Sequence, residues 1–177
     1  MTHQYHIRLF WAVLGVMLWT SALAAVPSSA VSMADSVLKS VLDGKRPAED
    51  LTLVYESGRR YVDGHITLTL SGDRTVKLVF TKDGQEKNYQ GALSRDGLST
   101  LIKTMRDDKF WTAPPAPELK VFDAAVISIR LSTKQNDLNV QLTCLESEAL
   151  QSRELQTLVL ILRGIIATVS RGEVQDH

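Results

Sequence analysis

The apolar residues of this chain change period at Pro47. Before it, Met33, Ala34, Val37, Leu38, Val41 and Leu42 recur at helical spacing, with Gly44 and Pro47 as stop signals. After it, Leu51, Leu53 and Tyr55 alternate with Thr52 and Val54, and Ile66, Leu68 and Leu70 alternate with Thr67 and Thr69. Strict alternation sends successive side chains to opposite faces of a strand. The faces opposite the apolar ones carry mostly Thr, Lys and Ser, so the expected sheet is antiparallel, covered on one side and wet on the other. Val76, Leu78 and Phe80 predict a third strand, reached through Ser71-Gly72-Asp73-Arg74. Lys82-Asp83-Gly84-Gln85 then turns the chain into a fourth, around Lys87 to Leu93, because Asp-Gly between strands favours a tight hairpin.

Ser94 is placed to cap a helix carrying Leu98, Leu101, Ile102 and Met105 on one face and ending near Asp108. Phe110 and Trp111 follow, and Pro114, Pro115 and Pro117 make the next stretch a stiff extended connector. Alternation returns at Ile127, Ile129 and Leu131 and at Leu138, Val140, Leu142 and Cys144, with Lys134 to Asp137 as the turn of a second hairpin. Leu155, Leu158, Val159, Leu162, Ile165, Ile166 and Val169 share one helical face of a closing segment that begins between Ser147 and Ser152. The predicted class is α+β, an antiparallel sheet of about five to six strands with helices packed on one face.

The first residues read as an address. Met1 to Arg8 is polar, Leu9 to Trp19 is an uncharged apolar run, and Ala22-Leu23-Ala24-Ala25 offers the small residues a signal peptidase requires. Cleavage after Ala24 is expected first and after Ala25 second. Uncleaved, Leu9 to Val26 would serve as an anchor, so both forms stand at this point. The expected organisation is a signal peptide over 1–24, a structureless leader over 25–32, one α+β domain over 33–170 and a tail over 171–177.

Composition narrows the function by exclusion. Lys+Arg and Asp+Glu both number 20 and the isoelectric point is near 6.9, so no excess positive field exists to attract nucleic acid or a membrane surface. With Cys144 as the single cysteine, neither an internal disulfide nor lipid attachment at the cleavage point is available. Its alternation with Leu142 and Val140 points the thiol into the core. Behind Ala24 the histidines are His65 and His177 alone, so no metal site is expected. No Gly-x-Ser-x-Gly elbow, phosphate loop or dinucleotide turn occurs, and no cofactor is expected. Asp107-Asp108 and Glu146/Glu148 read as solvated charges at helix ends.

The densest local chemistry lies from Tyr55 to His65 (YESGRRYVDGH), read as a loop between two strands. Arg59, Arg60, Tyr61 and His65 are the candidate binding residues there, since Arg and Tyr give large contact area with polar tips. Trp111 joins them as a possible stacking platform, its other reading being a plug on the edge of the core. No catalytic residue is assigned. From about His65 to Val169 the chain resembles an uncharacterised family of small exported bacterial domains. The shared pattern is Gly72-Asp73 between strands, Leu98 to Ile102 on a helix, the Phe110-Trp111 pair, a strand hairpin and a closing helix. The resemblance implies the fold and export, and brings no activity.

Two functions of different class follow. One is a non-catalytic module that binds another protein of the cell envelope or extracellular space, periplasmic or extracellular in a bacterial host and free of the membrane after cleavage. The other is an unfamiliar hydrolase centred on His65 with Asp63 or Glu56. His65→Ala separates them, being tolerated by the first and fatal to the second.

Overall fold

The computed structural model describes residues 28–59, 62–113 and 124–174. Helix α1 spans Ser28–Leu42 and buries Ala34, Val37, Leu38 and Val41. It therefore begins inside the expected leader, whose small residues from Ser28 onward accept helical geometry once Val31 and Ala30 rest against the core. Gly44, at φ 70°, ends it, and a single 3₁₀ turn at Ala48–Asp50 leads into the sheet.

Six strands follow in one antiparallel sheet: β1 Leu51–Arg59, β2 Val62–Ser71, β3 Thr75–Lys82, β4 Gln85–Ala92, β5 Ala125–Thr133 and β6 Asn139–Leu145. Their lateral order is β4-β3-β2-β1-β5-β6. The first four form a meander, and β5 returns beside β1 with Leu53 opposite Leu131 and Tyr55 opposite Ile129. Alternation anticipated five of these strands and the Asp83-Gly84 turn the fourth, β4, and the α+β class is the one observed. The Tyr55 to His65 segment is a correction. It is not a loop, because β1 runs to Arg59 and β2 starts at Val62, with Tyr55 fully buried and Ser57 buried behind it. Ser57 is polar but small, so it keeps the inward phase that its chemistry conceals.

Helix α2, Arg95–Asp108, starts where the Ser94 hydroxyl accepts the Gly97 N–H at 2.9 Å and stops at Lys109, whose φ of 50° is left-handed. It lays Leu101, Ile102 and Met105 on the inner face of the sheet. The expected closing helix is two: α3, Glu146–Gln151, and α4, Gln156–Val169. Ser152 is extended at the break, and its hydroxyl bonds Glu154 at 2.9 Å, a local bond that competes with continued helix. Leu158, Val159, Leu162 and Ile166 of α4 are buried. The fold also reaches past the expected domain end. Val174 is buried, its N–H bonded to the Ser170 hydroxyl at 3.2 Å.

All four helices sit on the face that carries Leu53, Leu68, Leu78, Ile129 and Leu142, so one core fills the space between two layers. The end of the sheet holding the β2–β3 and β5–β6 turns is clamped by charge. Arg46 donates to Asp137 at 2.7 and 3.0 Å and to Asp50 at 3.0 Å, and Lys134 N–H bonds the Asp50 carbonyl at 2.9 Å. Bonding to Arg46 and to the Thr133 hydroxyl holds the Asp137 carboxyl far below the usual carboxylate range. The other end, where β1 meets β2, carries no such clamp among the described residues.

Candidate functional site

Among the described residues every helix lies on one side of the sheet, and none covers the opposite face. Its side chains form rows that cross all six strands. One row runs Asn88, Val79, Thr67, Glu56, Ser128 and Thr143, the next Gln90, Lys77, Thr69, Val54, Arg130 and Gln141. Hydroxyls and short side chains dominate, because these are the wet positions of alternating strands. The Gln141 amide donates to the Ser128 hydroxyl at 3.1 Å, ordering the β5–β6 side of the face. Glu56 and Arg130 stand on neighbouring strands at diagonal positions, about 7–8 Å apart in an antiparallel pair. Rows of this kind came from the same Thr/Ser positions that marked the wet face in the sequence. Their alignment across strands depends on register, which no local pattern states.

His65 belongs to this face, at its unclamped end. It is exposed, opposite Thr81, and its ring crosses Gly58, where a Cβ would stand 2.8 Å from Nδ1. Glycine at 58 is what lets the imidazole lie flat on the strand. No hydrogen bond joins His65 to Glu56, and the side chain of Asp63 lies outside the described residues. Arg59 ends β1, exposed, at the same end of the sheet, opposite Val62 and Ala125. Arg60 and Tyr61 lie outside the described residues, as do the proposed signal peptide and the Pro114–Pro117 connector.

Trp111 is not part of this constellation. It is 2% exposed on the helix side of the sheet, in a 3₁₀ turn at Phe110–Thr112 packed against β6. Its ring meets Phe110 edge-on, with centroids 5.1 Å apart and planes at 72°. A stacking platform needs an accessible face, so the plug is the reading that fits.

The remaining titratable groups are structural in setting. Cys144 is buried and free, and burial, helped by the negative charge of Glu148, pushes its thiol up to about 12. It is expected to label in the native protein at least ~10³-fold more slowly than in denaturant, since the sulfur is reached only through opening of the core. Native and denatured labelling at equal rates would refute the inward assignment. Asp107 and Asp108 are not alike. Lys103 holds the first down at 2.8 Å, whereas burial and the neighbouring Asp107 charge raise the second. Asp108 is half-buried, which corrects its reading as a solvated charge at a helix end. Glu146 of α3 pairs with Arg163 of α4, both side chains mostly covered, which ties the two halves of the closing segment together. Among the described residues no group of three or more His, Cys, Asp or Glu side chains could hold a metal ion, and no helix is long and apolar enough to cross a membrane.

No protein-family model matches the chain, and no curated protein matches it. The likeness to small exported domains accordingly rests on the residue pattern alone.

Proposed function

We propose that the chain is an exported, non-catalytic module that binds another protein through the open face of its sheet. In a bacterial host it would work in the periplasm or outside the cell, without cofactor, nucleic acid or membrane attachment. The observation that carries this reading is the six-stranded face that no helix of the described residues covers. Thr and Ser lose little rotamer freedom on burial, so Thr67, Thr69, Ser128 and Thr143 across the middle of the face cost less to order against a partner than long side chains would. Glu56 and Arg130 near its centre supply opposite charges that reward one orientation of a partner and penalise others. Arg59 and His65 extend the surface at the unclamped end. Export draws its support from the residue order of 1–24.

One experiment addresses both parts. The protein is recovered from the envelope of its own host with bound partners, and its N-terminus is sequenced. A start at Ala25 or Val26 is expected, and Met1 in the membrane fraction would mean an anchor instead. A Glu56→Lys, Arg130→Glu variant is expected to lose the recovered partner while keeping the wild-type melting temperature. Unchanged recovery would remove the open face from the account.

A further inference from the structure

Strand β4 forms one edge of the sheet, and its residues are exposed or half-buried. The turn before it settles which backbone groups face β3. Asp83 and Gly84 both have positive φ, 52° and 69°, as a two-residue type I′ loop requires, so Lys82 and Gln85 form the hydrogen-bonded pair that closes the hairpin. At the far end the Leu93 N–H donates to the Arg74 carbonyl at 2.9 Å, in the same phase. Antiparallel pairs alternate in bonding, so Gln85, Lys87, Tyr89 and Gly91 bond to β3. The N–H and C=O groups of Glu86, Asn88 and Gln90 point away from the sheet.

Helix α4 lies over the same edge. A Cβ on Gly91 would stand 3.0 Å from Val169 Cγ2, and the Tyr89 hydroxyl donates to Glu173, just past the helix, at 3.0 Å. Arg163 turns toward Glu146 of α3, and at 3.6 residues per turn Ile161 and Ile165 fall on the opposite flank, half-buried. Gly164 and Thr168, both exposed, stand beside them, whereas Leu160, 54% exposed, lies toward the Arg163 side of the helix. The flank away from α3 is therefore apolar or small along its length.

The geometry points to a two-fold homodimer in which β4 pairs antiparallel with β4 of a second copy, joining two sheets into one and bringing the α4 flanks together. A second copy is the occupant because the edge complements itself. Side chains must meet on matching faces, so the two-fold axis passes through a residue of the strand. Centred on Asn88, the pairing sets Asn88 against Asn88, Glu86 against Gln90 and Lys87 against Tyr89, and no like charges meet. Centred on Lys87 it would oppose two ammonium groups. Lysine in an edge strand ordinarily guards against association. Here Lys87 already pairs with Glu173 at 3.6 Å, the same carboxylate that Tyr89 bonds. In the dimer each Lys87 faces the Tyr89–Glu173 pair of the other copy, so the guard becomes a reciprocal contact. The open face stays uncovered and is doubled, which makes this inference independent of the proposed binding function.

Sedimentation equilibrium on the protein purified from its own host tests it. A reversible monomer–dimer equilibrium is expected, with slowed amide exchange at Glu86, Asn88 and Gln90 as concentration rises. Asn88→Pro removes an N–H that the β4–β3 ladder does not use, so the variant keeps its fold and is expected to dimerise at least about tenfold more weakly. Gln90→Pro, at the next outward-pointing N–H of β4, is expected to act in the same direction. A wild-type protein that stays monomeric at every concentration would overturn the proposal. A dimer that neither substitution weakens would do the same, as would open-ended growth beyond the dimer, the mark of head-to-tail addition.

Discussion

Replacing Gly72 by Ala is expected to cost on the order of 4 kcal/mol or more, at the severe end of single substitutions. Gly72 is buried in the β2–β3 turn, where its N–H bonds the Leu51 carbonyl at 2.9 Å. A Cβ there would fall onto the carbonyl group of Ala48, within the 3₁₀ turn that feeds β1. Ala48 is backbone in contact with the core, and Asp50, two residues on, is held by Arg46 and by Lys134, so nothing nearby is a flexible chain end that could swing aside. Accommodating one methyl group would mean lifting the turn off the sheet and breaking the charge clamp behind it. Gly84→Ala makes the comparison. Its Cβ meets nothing, and only the φ of 69° is strained, so about 1–2 kcal/mol is expected. Urea denaturation of both variants measures the difference. Equal losses would mean that the close approach to Ala48 is not a constraint on the fold.

The contrast between these two glycines shows where the sequence was legible. Asp83-Gly84 between alternating runs announced a tight turn, and the positive φ at both residues is its physical content. Gly72 stood in a recognisable turn as well, yet its constraint comes from Ala48, twenty-four positions away, and no local pattern encodes such an approach. The same division runs through the sheet. Alternation located the strands other than β4, which the Asp83-Gly84 turn announced, but the placement of β5 beside β1 is a tertiary choice between two central apolar strands. β1 continued past Tyr55 behind a polar Glu56-Ser57-Gly58-Arg59 stretch, because burial at Ser57 and clearance at Gly58 are steric requirements, not hydrophobic ones. For the site, the hydroxyl-rich face was visible as the wet half of the alternation. The placing of Glu56 and Arg130 at diagonal positions on it depended on register. Trp111 was ambiguous from sequence since an aromatic pair after a helix serves equally as plug or platform until the direction of the turn is known.

Trp111→Ala is expected to destabilise the protein by about 3–5 kcal/mol, the range for deleting a large aromatic ring from a packed interior. The ring is 2% exposed, in the Phe110–Thr112 turn packed against β6, and it stands edge-on to Phe110, itself fully buried. The chain must also hold Lys109 at a φ of 50° to enter that turn, so losing the anchor would free a strained junction between α2 and the connector to β5. Among the described residues the buried indole N–H has no hydrogen-bond partner, which separates size from polarity in the response. Trp111→Phe removes that unsatisfied donor along with part of the ring, so its cost should be less than half that of Ala. Thermal and urea melting give the stability arm. Partner recovery gives the other, because a Trp that stacked on a bound peptide or sugar would lose binding in the Phe and Ala variants while stability held. Loss of stability first, with recovery unaffected in Trp111→Phe, is what a core plug requires, and it would leave recognition to the face on the far side of the sheet.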